Sequence, residues 1–170
     1  MRGWLIDTNV LSELRRPRPN QKVRAFMNGQ GGDLLYSSDV IFAEVRFGIE
    51  QMDDPERRAD LSRWLDHTLR PLFAARVLSV TEDVLLRWRL MFEGGRKKGR
   101  TFSDPDLLIA ALAAQADLIV VSRDTRQFVA AGVPAFDPWN WTLRAEDRVL
   151  DVVDADAPDA LAKVGALMAN

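Results

Sequence analysis

Short apolar runs alternate with longer stretches of helical spacing along this chain. The apolar runs predict buried β-strands at residues 4–6, 33–37, 77–80 and 118–121, and an edge strand at residues 133–136. Between them, apolar residues at helical spacing predict helices over residues 8–14, 22–27, 40–52, 55–68, 81–92 and 125–131, and one that begins near Asp106. Such alternation favours a parallel sheet covered by helices on both faces. We therefore predict an α/β fold with a central, mostly parallel sheet of about four to five strands.

Glycine pairs and charge runs mark the expected breaks. Gly94 and Gly95 predict the end of one helix and the start of a basic loop. Residues 1–140 are expected to form one domain. Residues 141–170 are expected to form an acidic linker followed by a helix over residues 158–168, where apolar side chains recur at helical spacing.

The composition excludes several kinds of site. With 47% hydrophobic and 28% charged residues, the 170-residue chain is typical of one soluble globular domain. It has no cysteine and one histidine, so disulfides, thiol nucleophiles, zinc-thiolate centres and multi-histidine metal sites are excluded. The start lacks the apolar core of a signal peptide and no stretch is apolar enough to span a membrane, so we expect a cytoplasmic protein with no membrane contact.

Charge is unevenly distributed along the chain. The net charge of -2 includes residues 146–160, where six acids face the single base Arg148, and the rest of the chain is therefore net positive. Residues 87–100 hold six basic residues against one acid. This segment predicts a patch that faces phosphate groups, and its candidate RNA-binding residues are Arg96, Lys97, Lys98 and Arg100.

Four acids stand where predicted strands meet helices: Asp7, Glu44, Asp106 and Asp124. Asp7 directly follows a strand and Asp124 lies three residues beyond another, while Glu44 and Asp106 are expected within the first turns of helices. In open parallel sheets, ligands bind beyond the carboxyl ends of the strands. The four acids are therefore expected to converge at one edge of the sheet.

A cluster of carboxylates suits Mg²⁺ or Mn²⁺, which prefer oxygen ligands. In that scheme Asp7 and Asp106 are the principal ligands, Asp124 completes the metal shell, and Glu44 binds through water or orients the attacking water. Such a site hydrolyses phosphodiesters without a protein nucleophile. Further hydrogen bonds to phosphate or to the ligand carboxylates are expected from Thr8, Asn9 and Ser122.

Each acid also has a structural explanation. Asp7 could cap the helix that begins at Thr8, and Asp124 could be a loop residue or a cap. Asp106 could only complement the helix dipole, and Glu44 could pair with an arginine, either Arg46 or Arg87. Asp104, followed by proline, is interpreted as an N-cap residue that could also support the site indirectly. The four acids together support a metal site more strongly than any one of them does alone.

The chain resembles the PIN-domain ribonucleases, in particular the VapC toxins of toxin–antitoxin pairs. The resemblance lies in LIDTNVLSELRRP at 5–17, SSDVIFAEVRFGIE at 37–50, GRTFSDPDLLIAALA at 99–113 and IVVSRDTRQF at 119–128. Each motif is weak alone, but their order and spacing over residues 1 to about 140 are specific. The acids of the family correspond to Asp7, Glu44, Asp106 and Asp124.

The resemblance implies a PIN-like fold and endonucleolytic RNA cleavage that depends on Mg²⁺ or Mn²⁺. It also implies a cognate VapB-like antitoxin, a homodimer, and contact with operator DNA only indirectly, through the antitoxin. Two departures stand out: Ile41 replaces a frequent threonine, so that Ser38 or Asp39 must cap the helix, and the chain continues about thirty residues beyond the usual domain. The alternatives are a housekeeping nuclease, a metal-dependent phosphatase, or a catalytically silent interaction module.

Overall fold

A single seven-stranded sheet organises the computed structural model, which describes residues 1–169. In chain order its strands are β1 (Gly3–Ile6), β2 (Leu35–Ser38), β3 (Val77–Leu78), β4 (Leu118–Val121), β5 (Ala135–Asp137), β6 (Thr142–Ala145) and β7 (Arg148–Asp151). Their spatial order is β3-β2-β1-β4-β5-β6-β7. The five strands from β3 to β5 are parallel, and β6 and β7 are antiparallel. The predicted α/β fold with its mostly parallel sheet is confirmed, although the sheet has two strands more than expected.

The helices form between the strands and beyond the last one. They are α1 (Thr8–Leu14), α2 (Gln21–Gly29), α3 (Asp39–Glu50), α4 (Pro55–Trp64), α5 (Arg70–Leu72), α6 (Glu82–Lys97), α7 (Asp104–Ala116), α8 (Thr125–Ala130) and α9 (Ala160–Ala169). A π-helical stretch, Leu65–Leu69, joins α4 to α5, and a 3-10 turn, Gly32–Leu34, precedes β2. Within the described residues, no helix combines the length and the apolar content that crossing a bilayer would require.

The centre of the sheet is shielded from solvent, and its strands β1 and β4 are apolar along their whole length. All four residues of each strand are buried, and the two strands pair in register from Gly3 opposite Leu118 to Ile6 opposite Val121. A run of buried apolar residues is the pattern of a parallel strand covered on both faces. Polar groups on these two strands are therefore excluded from the middle of the sheet and begin at its ends.

Helix α6 continues through the two glycines that were expected to end it. It runs to Lys97, so Arg96 and Lys97 lie in its last turn and not in a loop. A β-carbon on Gly95 would lie 2.2 Å from the ring of Phe102. Gly95 is thus required for close packing of the segment that follows the helix, and its role is not to terminate α6.

The acidic tail is folded, and the expected linker is wrong. Residues 142–151 form the β6–β7 hairpin, and the following turn and α9 bury apolar side chains in the main core, namely Val152, Ala155, Ala160 and Val164. The helix expected near residues 158–168 is present as α9. The division of the chain at residue 140 stays a prediction.

A buried amide ties this tail to the first strand. Gln30 accepts a hydrogen bond from the Trp4 indole N–H at 3.1 Å and donates one to the carbonyl oxygen of Ala155 at 2.9 Å. Beside it, a β-carbon on Gly29 would lie 1.7 Å from the carbonyl oxygen of Asp156. The end of α2 therefore receives the tail in a closely fitted contact.

Candidate active site

Three of the four candidate acids enter the same edge of the sheet from different elements. Asp7 follows β1 and caps α1, its Oδ1 accepting from the backbone N–H of Thr8 at 2.7 Å. Asp124 follows β4 and stands at the N-cap position of α8, where its side chain caps nothing. Asp106 is the third residue of α7. Because β1 and β4 are adjacent and parallel, their carboxyl ends bring Asp7 and Asp124 to one place.

Asp7 is held by a network that joins the two central strands. Its Oδ2 accepts from the hydroxyl of Ser122 at 2.7 Å and from the amide of Asn9 at 2.9 Å. Ser122 Oγ in turn accepts from the Asn9 amide at 2.9 Å and from the backbone N–H of Asp124 at 3.1 Å. The Arg123 backbone N–H donates to Asn9 Oδ1 at 3.2 Å. This network gives Asn9 and Ser122 a definite role in orienting the Asp7 carboxylate.

Burial raises the pKa of Asp7 to about 6, from an ordinary value of 3.8. Hydrogen bonds from Ser122 and Thr8 act in the opposite direction, and the negative charges of Asp106 and Asp124 add to the rise. Asp7 is only 6% exposed. Asp106 and Asp124 thus lie close enough to repel a negative charge on Asp7, which desolvation already disfavours.

Asp106 is oriented by its helix cap. Ser103, not Asp104, is the N-cap residue of α7, which corrects the expectation from the sequence. The Ser103 backbone is extended and its short side chain accepts from the Asp106 N–H, while its hydroxyl donates to Asp106 Oδ2 at 2.5 Å. Asp104 already belongs to the helix and is exposed, and its side chain has no hydrogen bond among the described residues.

Glu44 lies half-buried in α3, and no ion pair to it forms within residues 1–169. Of the two arginines proposed as its partners, Arg87 donates instead to Gln115 Oε1 at 2.9 Å. Of the two residues expected to cap α3, Ser38 does so by accepting from the N–H of Ile41 at 3.2 Å, and Asp39 is the first helical residue. Helix α3 packs against both α1 and α7, which carry Asp7 and Asp106. The charge of Glu44 does not contribute to the shift at Asp7, so its convergence with the other acids stays a prediction.

Thr8 provides a further polar group at this edge. Its hydroxyl oxygen is buried and has no hydrogen-bond partner among the described residues. A buried hydroxyl without a partner is costly, so its presence beside Asp7 fits a site that receives a ligand oxygen.

The acids suit a hard cation without forming a complete cage. Within residues 1–169, no three acidic or histidine side chains stand close enough together to surround a metal ion. Mg²⁺ keeps several waters and uses one or two carboxylates together with substrate phosphates, so a finished protein cage is not needed. The carboxylates of Asp7, Asp106 and Asp124 and the unpartnered Thr8 hydroxyl are the donor types that such an ion requires.

The basic candidates differ in their surroundings. Arg96 forms an ion pair with Glu93 at 3.1 Å, and Lys97 and Lys98 are exposed. Arg100 donates to the carbonyl oxygen of Ala130 at 2.7 Å.

Asp137 is a buried acid that was not among the candidates from the sequence. It lies at the carboxyl end of β5, and its side chain accepts three hydrogen bonds within its own turn. The sequence DPWN at residues 137–140 is typical of a turn, and the role of Asp137 is to stabilise that turn.

Known proteins resemble most of this chain. The PIN domain family model matches residues 4–133. Toxin FitB from Neisseria gonorrhoeae is 35% identical over 136 residues, which is 80% of this chain and 98% of FitB. VapC ribonuclease Y4jK from Sinorhizobium fredii is 33% identical over 135 residues, 79% of this chain and 96% of that protein.

A solved structure agrees with the sequence relatives. The structure of FitAB bound to an IR36 DNA fragment contains a chain that is 34% identical, with a TM-score of 0.75 and coverage of 80% of this chain and 95% of that chain. The family match, these identities and the parallel sheet with acids at its carboxyl edge lead to one conclusion. The chain belongs to the PIN-domain family.

Proposed function

We propose that this protein is a Mg²⁺- or Mn²⁺-dependent endoribonuclease that acts as the toxin of a toxin–antitoxin pair. The observation that carries the proposal is the buried Asp7, whose pKa is raised to about 6 and whose neighbours include the charges of Asp106 and Asp124. A positive ion at this edge would relieve both the burial of charge and the mutual repulsion. The names of two relatives, a VapC ribonuclease and a toxin, support RNA as the substrate and a toxin role.

Asp7 and Asp106 would hold the ion, and Asp124 would complete its carboxylate shell. When bound, the ion lowers the pKa of water and stabilises negative charge on a phosphate. Asn9 and Ser122 keep the Asp7 carboxylate in one orientation through their hydrogen bonds to Oδ2. The Thr8 hydroxyl would donate to a phosphate oxygen, because it has no other partner among the described residues. Glu44 would accept the proton of the attacking water.

The partners follow from the same relatives. We expect a VapB-like antitoxin that covers the acidic edge, and a homodimer as the toxin unit. The chain similar to this one in the FitAB structure belongs to a complex bound to DNA. For this protein, contact with operator DNA is expected through the antitoxin and not through the PIN domain.

The test is cleavage of total cellular RNA by the purified protein, with Mg²⁺, with Mn²⁺, or with a chelator. Discrete fragments should appear only with metal. Asp7→Asn and Asp106→Asn should each lower the cleavage rate at least about 100-fold. Asp83→Asn, which removes an exposed carboxylate from the first turn of α6, should leave the rate within about twofold, because such surface changes have little effect.

The outcomes separate the proposal from its alternatives. Equal activity of wild type, Asp7→Asn and Asp106→Asn would remove the acidic edge from the mechanism. Phosphomonoester hydrolysis without RNA cleavage would indicate a phosphatase, and no metal binding by calorimetry would indicate an interaction module. Growth arrest on expression, relieved by a small protein encoded beside it, would separate a toxin from a housekeeping nuclease.

A further inference from the structure

A second charged site lies in the cavity between the β6–β7 hairpin, α8 and the loop before α7. The cavity has a volume of about 470 Å³ and is lined by four arginines, Arg100, Arg126, Arg144 and Arg148. Two acids from the hairpin turn, Glu146 and Asp147, also line it. Arg144 and Arg148 lie beyond residue 133, where the PIN family model ends. The cavity therefore depends on residues 134–169, here called the additional segment.

The four guanidinium groups are available for an anion. Among the described residues none of them forms an ion pair, not even with the two acids of the same cavity. Arg100 is positioned by a hydrogen bond to the Ala130 carbonyl oxygen at 2.7 Å, and Arg148 by one to the Leu167 carbonyl oxygen at 3.0 Å. Each guanidinium has five N–H donors, so most donors remain free after these contacts. Unpaired guanidinium groups are suited to phosphate oxygens, and two of these four, Arg100 and Arg148, are held in place.

The cavity is connected to the acidic edge by helix α8. Asp124 stands directly before the first residue of α8, and Ala130, its last residue, receives the hydrogen bond from Arg100. Six helical residues span about 9 Å. Arg126 lies on the same helix, and Arg100 lies on the segment that leads to Asp106 in α7. Arg126 is thus two residues from Asp124 along the chain, and Arg100 is six residues from Asp106.

We propose that this cavity binds the phosphate backbone of the RNA strand as it leaves the acidic edge along α8. The inference rests on the ribonuclease function proposed above for its choice of RNA. Proteins that hold single-stranded nucleic acid use basic grooves that follow the backbone. A protein partner would favour aromatic anchors at its contact, whereas the apolar residues of this cavity are small aliphatic ones. The additional segment then extends the RNA-binding surface beyond what the PIN domain alone provides.

The experiment measures binding of a short single-stranded RNA to the full chain in chelator, so that no cleavage occurs. The test variant is Arg126→Gln with Arg144→Gln, because neither side chain has a hydrogen bond or ion pair within residues 1–169. The matched control is Arg18→Gln with Arg24→Gln, which removes two exposed charges outside the cavity. Affinity is measured at several salt concentrations and with two unrelated RNA sequences.

The test variant should bind RNA about tenfold more weakly at low salt, equally for both sequences. The slope of log affinity against log salt should become less steep by about 1.4, since each lost phosphate contact on a single strand accounts for about 0.7. The control should match wild type within about twofold. In the opposite direction, Glu146→Gln with Asp147→Asn should strengthen binding about threefold, because it removes two charges that repel phosphate.

Three results would overturn the proposal. One is equal RNA affinity and salt slope for the test variant and the control. Another is unchanged binding by the variant that lacks both acids. The third would come from measuring inorganic pyrophosphate binding to the same proteins. If the test variant lost pyrophosphate binding but bound RNA as wild type does, the cavity would be a site for small anions. Since binding is measured without metal, a failure of RNA cleavage affects the proposed function alone, and a failure of these variants affects the cavity alone.

Discussion

The parallel half of the sheet and its antiparallel extension handle charge in opposite ways. Strands β1 and β4 are buried at every position, whereas three of the four residues of β7 are exposed. Charge in the parallel half is therefore confined to the strand ends, where Asp7 and Asp124 stand. In the extension, charges lie along the strands and in the turn. A sheet buried on both faces thus concentrates its polar groups at one edge, while a half-exposed hairpin spreads its charges over a surface.

The two regions also differ in what they share with other proteins. The PIN family model ends at residue 133, before β6, and the relatives match about four-fifths of this chain. The acidic edge lies wholly in the shared part. The arginine cavity needs both parts, because Arg100 and Arg126 come from one and Arg144 and Arg148 from the other.

The two regions should differ most in how tightly they are packed, which two leucine substitutions test. Leu5→Ala empties a fully buried position of β1 and should lower the free energy of unfolding by about 3–4 kcal/mol. Leu150→Ala, at a half-buried position of β7, should lower it by about 1 kcal/mol. Urea denaturation followed by circular dichroism measures both. Equal losses would show that the hairpin is packed as tightly as the central strands.

The side-chain amide of Gln30 joins the two regions. Gln30→Ala leaves the Trp4 indole N–H and the Ala155 carbonyl oxygen without their buried partner, and should cost about 2 kcal/mol of folding stability. Gln21→Ala, at the exposed start of α2, should change stability by less than about 0.5 kcal/mol. Thermal unfolding compares the two variants. An equally small effect of both would mean that the extension docks independently of Gln30.

A smaller effect is expected at the acidic edge, and its sign follows from the raised pKa of Asp7. Because the folded-state pKa of about 6 exceeds the ordinary 3.8, protonation of Asp7 stabilises the fold below about pH 4, and this contribution is lost as pH rises through 6. In chelator above about pH 7, Asp7→Asn should raise the free energy of unfolding by about 1–2 kcal/mol, after allowing for the hydrogen bond lost by Asn9.

This gain should disappear below about pH 4, where Asp7 is protonated in both states. Urea denaturation across the pH range gives the profile. A difference between wild type and Asp7→Asn that does not change with pH would show that burial does not disfavour the charge. Added Mg²⁺ should stabilise wild type more than Asp7→Asn, since binding to the folded state alone shifts unfolding.

The smallest effect is expected in the hairpin turn. Glu146 has a φ of 53°, a left-handed conformation that favours glycine. Glu146→Gly should therefore stabilise the fold by about 0.5 kcal/mol. Asp147→Gly, at a residue without positive φ, should destabilise it by a similar amount. Differential scanning calorimetry resolves the direction, and a loss of stability in Glu146→Gly would indicate that its side chain contributes to the fold.

Sequence alone predicted the parallel half because its strands are continuous apolar runs. Residues 4–6 and 118–121 could be assigned from composition, and the acids at their ends followed from the rule that ligands bind at carboxyl ends. The pKa of Asp7 could not be predicted, since it depends on burial by side chains distant in sequence. The cap at Ser103 was missed because Asp104-Pro105 matches the same helix-start pattern one residue later.

The sequence of the extension does not indicate a hairpin, and the reason is physical. Its turn, Glu146-Asp147, lacks the glycine or asparagine that usually reveals a two-residue hairpin. Six acids in fifteen residues are typical of a solvated linker, yet burial of four small or branched residues holds the segment in place. The four arginines of the cavity come from four separate elements, so no local pattern could bring them together.

The hairpin also changes which strand ends the sheet. Without it, the free edge would be β5, whose three residues, Ala135 to Asp137, are all buried in the present fold. An unprotected strand edge can pair with strands of other molecules and initiate aggregation. With it, the edge is β7, which carries Arg148 and Asp151 on an exposed strand. A chain trimmed to the segment it shares with its relatives should therefore be less soluble than the whole chain, however well its acidic edge is preserved.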